Sequence, residues 1–443
     1  MRNKLIKGIF YSFLLLFVSC SKELDTSPTQ SVDAGTALLT SSDVKAALVG
    51  AYSDFGDADF YGGRVFMEKD LLANVNDLNW SGTYQGLTQI ANKAIPVDNG
   101  YVASVWLDGY TAINDVNNVL SAMSVVSTTD SASVLGSAKF IRGASYFELV
   151  RMFGKAWNDG TPATNPGVPL VLTPTTTITD SSKVSRNTVA EVYAQVIADL
   201  TDAESHLPKS NGFYANKAAA AALLARVYLQ KGDYTNAVQA ANRAITNSGG
   251  DLTSTYAEAF GASNTKEDIF AVQVTTTSGT QGFNEFYSSS QRGDIQITDE
   301  HLNLYESDDD RLNLFYEDGG SVYTGKFEEL YGNVHTIRFA EMLLIRAEAN
   351  FRLNTSVGAT PLEDINRIRN RVNLTSYTSS ELTLDKILLE RRLELAFEGF
   401  SLDDVKRLET SVGNLPWNSP KLIFPIPNRE IIVNPNLTQN EGY

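Results

Sequence analysis

Residues 218–245 read AAAAALLARVYLQKGDYTNAVQAANRAI, and this stretch decides the fold. It is a helical hairpin broken at Lys231-Gly232-Asp233. Ala225, Ala237 and Ala244 are small enough to let two helices approach closely. Tyr228 and Tyr234 fill the gaps, and Gly232 makes the turn.

These residues fall at the offsets of a tetratricopeptide repeat. One such hairpin cannot bury its own apolar face, and stability takes about three or more stacked units. Further helices are therefore expected. From Thr188 to Leu207 the apolar positions Val189, Val192, Val196, Leu200 and Ala203 form one face, Thr188 and Glu191 fit a capping box, and Pro208 follows the end. Lys139–Phe153, Ile337–Phe351 with Pro361–Val372, and Leu384–Leu408 are the other helical candidates. In the second, Phe339, Ala340, Leu343, Leu344 and Ala347 leave few polar positions, so burial on most sides is expected. Turn-rich segments separate these blocks: Asn158–Ser185, Thr275–Gly293 and Leu415 to the end. Pro416, Pro420, Pro425, Pro427 and Pro435 make the last one extended chain laid over the helices.

Charge narrows the partners. The 443 residues carry 36 Lys+Arg against 52 Asp+Glu, a net charge of −16, which opposes nucleic acid and anionic lipid. A single cysteine excludes an internal disulfide and any Cys-rich metal site. That cysteine has a place of its own. Arg2, Lys4 and Lys7 precede an apolar run from Ile9 to Val18, too short to span a bilayer and suited to an export signal. The run ends at Phe17-Val18-Ser19-Cys20, which resembles a bacterial lipobox, although Phe17 stands where Leu is usual. Residues 1–19 are thus expected to be removed and Cys20 lipidated, with residues 20–40 as a polar tether. Cleavage takes three basic residues and no acidic one, which deepens the charge to −19 and favours a neutral or cationic ligand.

A family resemblance then enters, carried by Arg142–Gly154 (RGASYFELVRMFG), Gly167–Val171 (GVPLV), Arg338–Ala349 (RFAEMLLIRAEA), Asn366–Arg371 (NRIRNR), Glu390–Gly399 (ERRLELAFEG), Phe424–Pro427 (FPIP), Asn434-Pro435 and Gln439-Asn440. In this order they resemble the SusD/RagB family of outer-membrane lipoproteins, which bind glycans or other nutrients and pair with a TonB-dependent (SusC-like) transporter. The resemblance implies a mostly α fold: a tetratricopeptide-like helix-pair superhelix with loop-rich ligand-binding insertions. It further implies an N-terminal region over 41–265 and a C-terminal region over 266–443, forming one integrated unit. Two positions depart from the pattern. Ser401 stands where Arg is usual after the Glu-Gly step, which puts one ion pair in doubt, and Glu441 stands where Pro is usual.

Catalytic readings fare poorly against bland ones. Glu390, Glu394 and Glu398 line one helical face at i, i+4 and i+8, about 6 Å apart. A glycosidase needs its carboxyls on opposite sides of the scissile bond, so ion pairing with Arg391, Arg392, Arg338 and Arg346 is the expectation. His206, His301 and His335 lack metal-ligand spacing. The acidic run Glu306–Arg311 lacks the EF-hand spacing, so it reads as a turn whose acids pair with Arg311, a loop-bound calcium being the alternative.

Two aromatic, amide-rich segments remain. A sugar offers apolar C–H faces and a rim of hydroxyls, so a binder presents flat aromatics beside amides, carboxylates and Arg. Asn76, Asp77 and Asn79 with Trp80 and Tyr84 form one candidate, and Phe286 and Tyr287 in the Thr275–Gly293 loop form the second. Together they are expected to make one cradle, in which Trp80→Ala weakens glycan binding and spares stability. Trp106, Trp157 and Trp417 read as structural.

The expected function is non-catalytic capture of an oligo- or polysaccharide, delivered to the TonB-dependent transporter from a lipid anchor facing the exterior, without cofactor. The alternative is a tetratricopeptide-like lipoprotein of a nutrient-uptake complex that binds a protein or peptide and no sugar.

Overall fold

The computed structural model describes residues 38–277 and 279–443. The export signal, Cys20 and the tether as far as residue 37 lie outside the described residues. The first part holds helices α1 (Ser41–Phe55), α2 (Arg64–Leu72), α3 (Gln85–Ala91), α4 (Gly100–Ser121), α5 (Ser131–Phe153), α6 (Val189–His206), α7 (Lys217–Gln230) and α8 (Tyr234–Ser248). After two short turns, α9 (Asn284–Tyr287) and α10 (Asp299–Leu302), come α11 (Phe339–Leu353), α12 (Pro361–Arg371), α13 (Leu384–Glu394), α14 (Ser401–Arg407) and α15 (Asn428–Val433).

The long helices stack nearly in chain order. α1 packs on α4, α4 on α5, α5 on α6, α6 on α7 and α7 on α8. α8 then meets α11, which carries α12 and α13. This continuous stack is what a hairpin that cannot bury its own face requires, and it confirms the helix-pair scaffold. The predicted capping box of α6 is formed: Glu191 N donates to Thr188 Oγ1 at 3.2 Å, and Thr188 N to Glu191 Oε2 at 2.8 Å. Val189, Val192, Val196, Leu200 and Ala203 form its buried face. Residues Phe339 to Asn350 of α11 are buried throughout, as the scarcity of polar positions predicts.

Small residues set the helix spacing. A Cβ on Gly143 of α5 would meet Leu200 of α6 at 2.9 Å, so only glycine permits this approach. At the preceding position, Arg142 reaches from α5 to Asp199 of α6 through two hydrogen bonds of 2.8 Å and to Asn117 of α4 at 2.9 Å. This buried, bidentate pair ties three helices together. Burial pushes the Asp199 carboxyl up, but Arg142 and Lys139 outweigh it and hold the group below its ordinary range.

The chain between α8 and α11 carries most of the strands. β1 (Leu78–Trp80), β3 (Ile295–Ile297), β4 (Phe315–Asp318) and β5 (Ser321–Thr324) form a sheet in the order β1-β3-β5-β4, while β2 (Asp268–Val272) pairs with β6 (Val334–Arg338). All pairs are antiparallel. The β1–β3 ladder places Asn79 opposite Gln296 and Trp80 opposite Ile295, which sews the 74–84 segment to the distant insertion.

Two expectations are corrected. The single helix expected over Leu384–Leu408 is broken between α13 and α14, where Phe397 (φ +67°) and Gly399 (φ +81°) are left-handed. The freed carbonyls of Glu394 and Ala396 accept from Lys326 Nζ at 3.3 and 2.7 Å. A Cβ on Gly399 would clash with Phe66. Nor is the proline-rich C-terminus merely draped: Leu422, Phe424 and Ile426 are buried, Phe424 N donates to Met152 O at 2.8 Å, and α15 forms directly after Pro427. Alternate apolar residues between the prolines reach the core, and Pro427 stands at the N-cap of α15, where its carbonyl accepts from Glu430 N at 2.9 Å while Asn428 N donates to Val97 O at 2.9 Å.

Candidate functional site

The 74–84 segment is shaped by local polar chemistry. Asn74 Oδ1 accepts from Asp77 N at 3.0 Å, and Asn74 Nδ2 donates to Leu78 O at 2.7 Å, which closes the loop after α2. Asn76 takes a left-handed φ of +75°, which asparagine tolerates better than most residues, and its carbonyl accepts from Thr298 Oγ1. On β1, Leu78 is buried and Asn79 exposed, so Asn79 points away from the core-facing side and donates to Gln296 Oε1 at 3.1 Å. The amide thus lies on the outer face of the strand.

The two aromatic segments do meet. Phe286 of α9 lies 6.0 Å from the Trp80 ring and 6.0 Å from the Tyr84 ring. Phe286 and Tyr287 are nevertheless fully enclosed, which corrects their reading as ligand contacts. Phe286 supports the surface rings from beneath, and Tyr287 packs on Phe283, Phe327 and Phe397. Trp80 is half-buried, its indole N–H donates to Thr88 Oγ1 at 2.9 Å, and only glycine fits at 82 against its ring. The expectation that Trp80→Ala would spare stability is therefore corrected.

Tyr84 is the open ring, 39% exposed, with the Arg292 guanidinium 4.1 Å from its centroid. Arg292 is held by Asp294 Oδ2 at 2.6 Å and by Thr83 Oγ1 at 3.2 Å. Tyr101, at the start of α4, stands 6.4 Å from Tyr84. Arg292, Asp294, Thr83 and Tyr101 were not singled out in the sequence. Arg292 does lie in the Thr275–Gly293 loop, but nothing local indicates its stack on Tyr84.

Asp77 faces a different neighbourhood. It accepts from His301 Nδ1 at 2.9 Å and from Arg392 Nη2 at 2.6 Å. Burial pushes its carboxyl up, and the His301 hydrogen bond with the nearby Arg392 charge reverses this and holds it low. Burial lowers His301, and the opposing pull of Asp77 does not restore it. Asp77 is thus a buttress between β1, α10 and α13.

The glutamate stripe is structural. Glu390 pairs with Arg311 and Arg369, Glu394 with Arg338, Arg371 and Arg311, and Glu398 with Arg338 and Lys326. Of the four expected partners only Arg338 takes part, because Arg391 pairs with Asp404, Arg392 with Asp77 and Arg346 with Asp364. In the acidic run, Asp309 is locked to Arg311 and Glu306 to Arg369. Trp106 is buried, and Trp157 and Trp417 pack partly buried against the core.

The helix-pair scaffold thus presents aromatic and ionic side chains from inserted loops. Residues 24–229 match the SusD-like family described as starch-binding and associating with the outer membrane, and residues 318–419 match the SusD family. A relative, SusD-like protein P2 of Formosa agariphila, is 27% identical over 99% of this chain and 100% of its own. A SusD superfamily structure from Bacteroides thetaiotaomicron superposes with a TM-score of 0.81 at 26% identity, covering 90% of this chain and 99% of that one. A laminarin-binding SusD-like protein has the same fold, with a TM-score of 0.73 at 23% identity over 91% of this chain and 100% of its own. The chain belongs to the SusD/RagB family. Among the described residues no helix is long and apolar enough to cross a membrane.

Proposed function

We propose that this protein captures an oligo- or polysaccharide on the surface formed by Tyr84, Trp80 and Arg292 and delivers it to a TonB-dependent outer-membrane transporter. It does so without hydrolysing the glycan, from a lipid anchor at Cys20 that faces the exterior. The observation that carries the reading is the open Tyr84 ring under Arg292, beside the half-buried Trp80. A pyranose stacks its C–H face on such a ring, and Arg292, Asp294 and Thr83 supply donors and acceptors to its hydroxyls. The family description as starch-binding and the laminarin-binding neighbour support a glycan ligand.

The test is native-gel retardation of the purified protein on laminarin and on starch, with product analysis alongside. Retardation by either glycan, lost in Tyr84→Ala at unchanged thermal midpoint, is the expected result. Hydrolysis products would revive an enzyme, and binding undiminished in Tyr84→Ala would move the site elsewhere.

A further inference from the structure

A cavity of about 460 Å³ opens between the α13–α14 segment and residues 74–78, and neither Trp80, Tyr84 nor Arg292 lines it. That volume falls within the usual range for small-molecule sites, about 300–1,000 Å³. Leu388, Leu395, Phe397, Val405 and Leu408 make its walls largely apolar.

Arg392 in its wall is paired with Asp77, but two other lining arginines keep unpartnered donors. Arg391, buried, gives Nε to Asp404 Oδ2 at 2.9 Å, while its Nη1 and Nη2, near the Phe400 ring, have no hydrogen-bond partner among the described residues. Arg407 gives Nε to Asp404 Oδ1 at 2.6 Å and Nη1 to Glu348 Oε1 at 2.7 Å, and its Nη2 is likewise unpartnered. Arg352 also draws on Glu348, at 2.8 Å. Three guanidinium groups therefore share the carboxylates of Asp404 and Glu348, yet Glu348 Oε2 is itself unpartnered, and Arg391 Nη1 and Nη2 with Arg407 Nη2 stay without acceptors among the described residues. Enclosed donors without acceptors are costly, and a bound anion removes that cost.

Ser401 lines the cavity and donates Oγ to Asp70 Oδ1 at 2.8 Å. Burial pushes the Asp70 carboxyl up to about 7, against the hydrogen bonds from Ser401 and Gly399. A long side chain at 401 would occupy part of the volume.

We propose that this cavity is a second binding site, for a small amphipathic carboxylate whose head meets Arg391 and Arg407 and whose hydrocarbon body lies along Leu388, Leu395 and Val405. A planar carboxylate suits the guanidinium fork, and the apolar walls suit a hydrocarbon body.

Calorimetry on the whole chain, with 3-phenylpropionate and octanoate as probes and the corresponding alcohols as neutral controls, tests this. At least one acid should bind one-to-one, and its alcohol at least tenfold more weakly. Ser401→Arg should weaken the acid at least tenfold with the thermal midpoint kept or raised. Leu388→Trp, which fills the cavity from another wall, should do the same, and it serves if the first variant does not fold. Tyr84→Ala should leave acid binding unchanged. No binding of either acid, equal binding of acid and alcohol, undiminished binding in the filled variants, or loss in Tyr84→Ala would each overturn the assignment.

Discussion

Glu394→Gln is the substitution that separates scaffold from chemistry. Glu394 has no exposure and sits 2.5 Å from Arg371 Nη2 and 3.0 Å from Arg338 Nη1, with Arg311 at 3.8 Å. Burial pushes its carboxyl up, but Arg371, Arg338 and Arg311 reverse this and bring it to about 2, against an ordinary 4.5. At about 1.4 kcal/mol per pH unit, that difference is worth about 3 kcal/mol, which agrees with the roughly 3–5 kcal/mol lost when one partner of a buried pair is removed. Because the folded state holds the lower value, the unfolded chain takes up the proton first as pH falls. The stabilisation is therefore complete above about pH 4.5 and is lost toward pH 2. Glu394→Gln should unfold with about 3 kcal/mol less stability at pH 7, a fall in midpoint of about 4 °C for a chain of roughly 400 residues, and the gap should shrink to about 1.4 kcal/mol at pH 3. Urea unfolding at the two pH values measures it, and retardation on laminarin should not change. A gap that is absent at pH 7, or equal at both pH values, would refute the assignment of Glu394 to a structural network.

Other outcomes are equally specific. Trp80→Ala should weaken glycan binding and also lower stability by about 1–3 kcal/mol, since it removes a half-buried ring packed on Phe286; denaturant titration beside native gels separates the two effects. Gly143→Val should destabilise by about 1–3 kcal/mol through forced separation of α5 and α6, visible in thermal unfolding, and an unchanged midpoint would show that Leu200 yields. His301 is held below its ordinary value, so the unfolded chain protonates first, and stability should decline as pH falls below about 6.5. His301→Gln should flatten that slope in unfolding measured between pH 7.5 and 5.5. Cys20→Ala should move the protein from the membrane to the soluble fraction in cell fractionation, and continued membrane association would count against the anchor.

Patterns that depend on neighbours in the chain were legible, and those that depend on opposing surfaces were not. The break at Lys231-Gly232-Asp233, the Thr188 capping box and the buried run of α11 were readable because helical periodicity and capping act over three or four residues. The helix break after Glu394 was not, because it is fixed by Lys326, far away in sequence, whose ammonium donates to the freed carbonyls. Phe286 illustrates the same limit at the site. An aromatic residue in a Gly/Ser/Thr-rich loop reads as exposed, yet the loop folds α9 against the sheet and buries it.

The amino-acid sequence by itself determined a helix-pair scaffold, the family and the carboxylate stripe as a source of ion pairs. Only the tertiary structure decided which arginine meets which glutamate, that Arg292 stacks beside the partly exposed Tyr84, and that a cavity lies beside unpartnered guanidinium groups. The reason is range: periodicity records which face of an element is buried, but it does not record which surface comes to bury it.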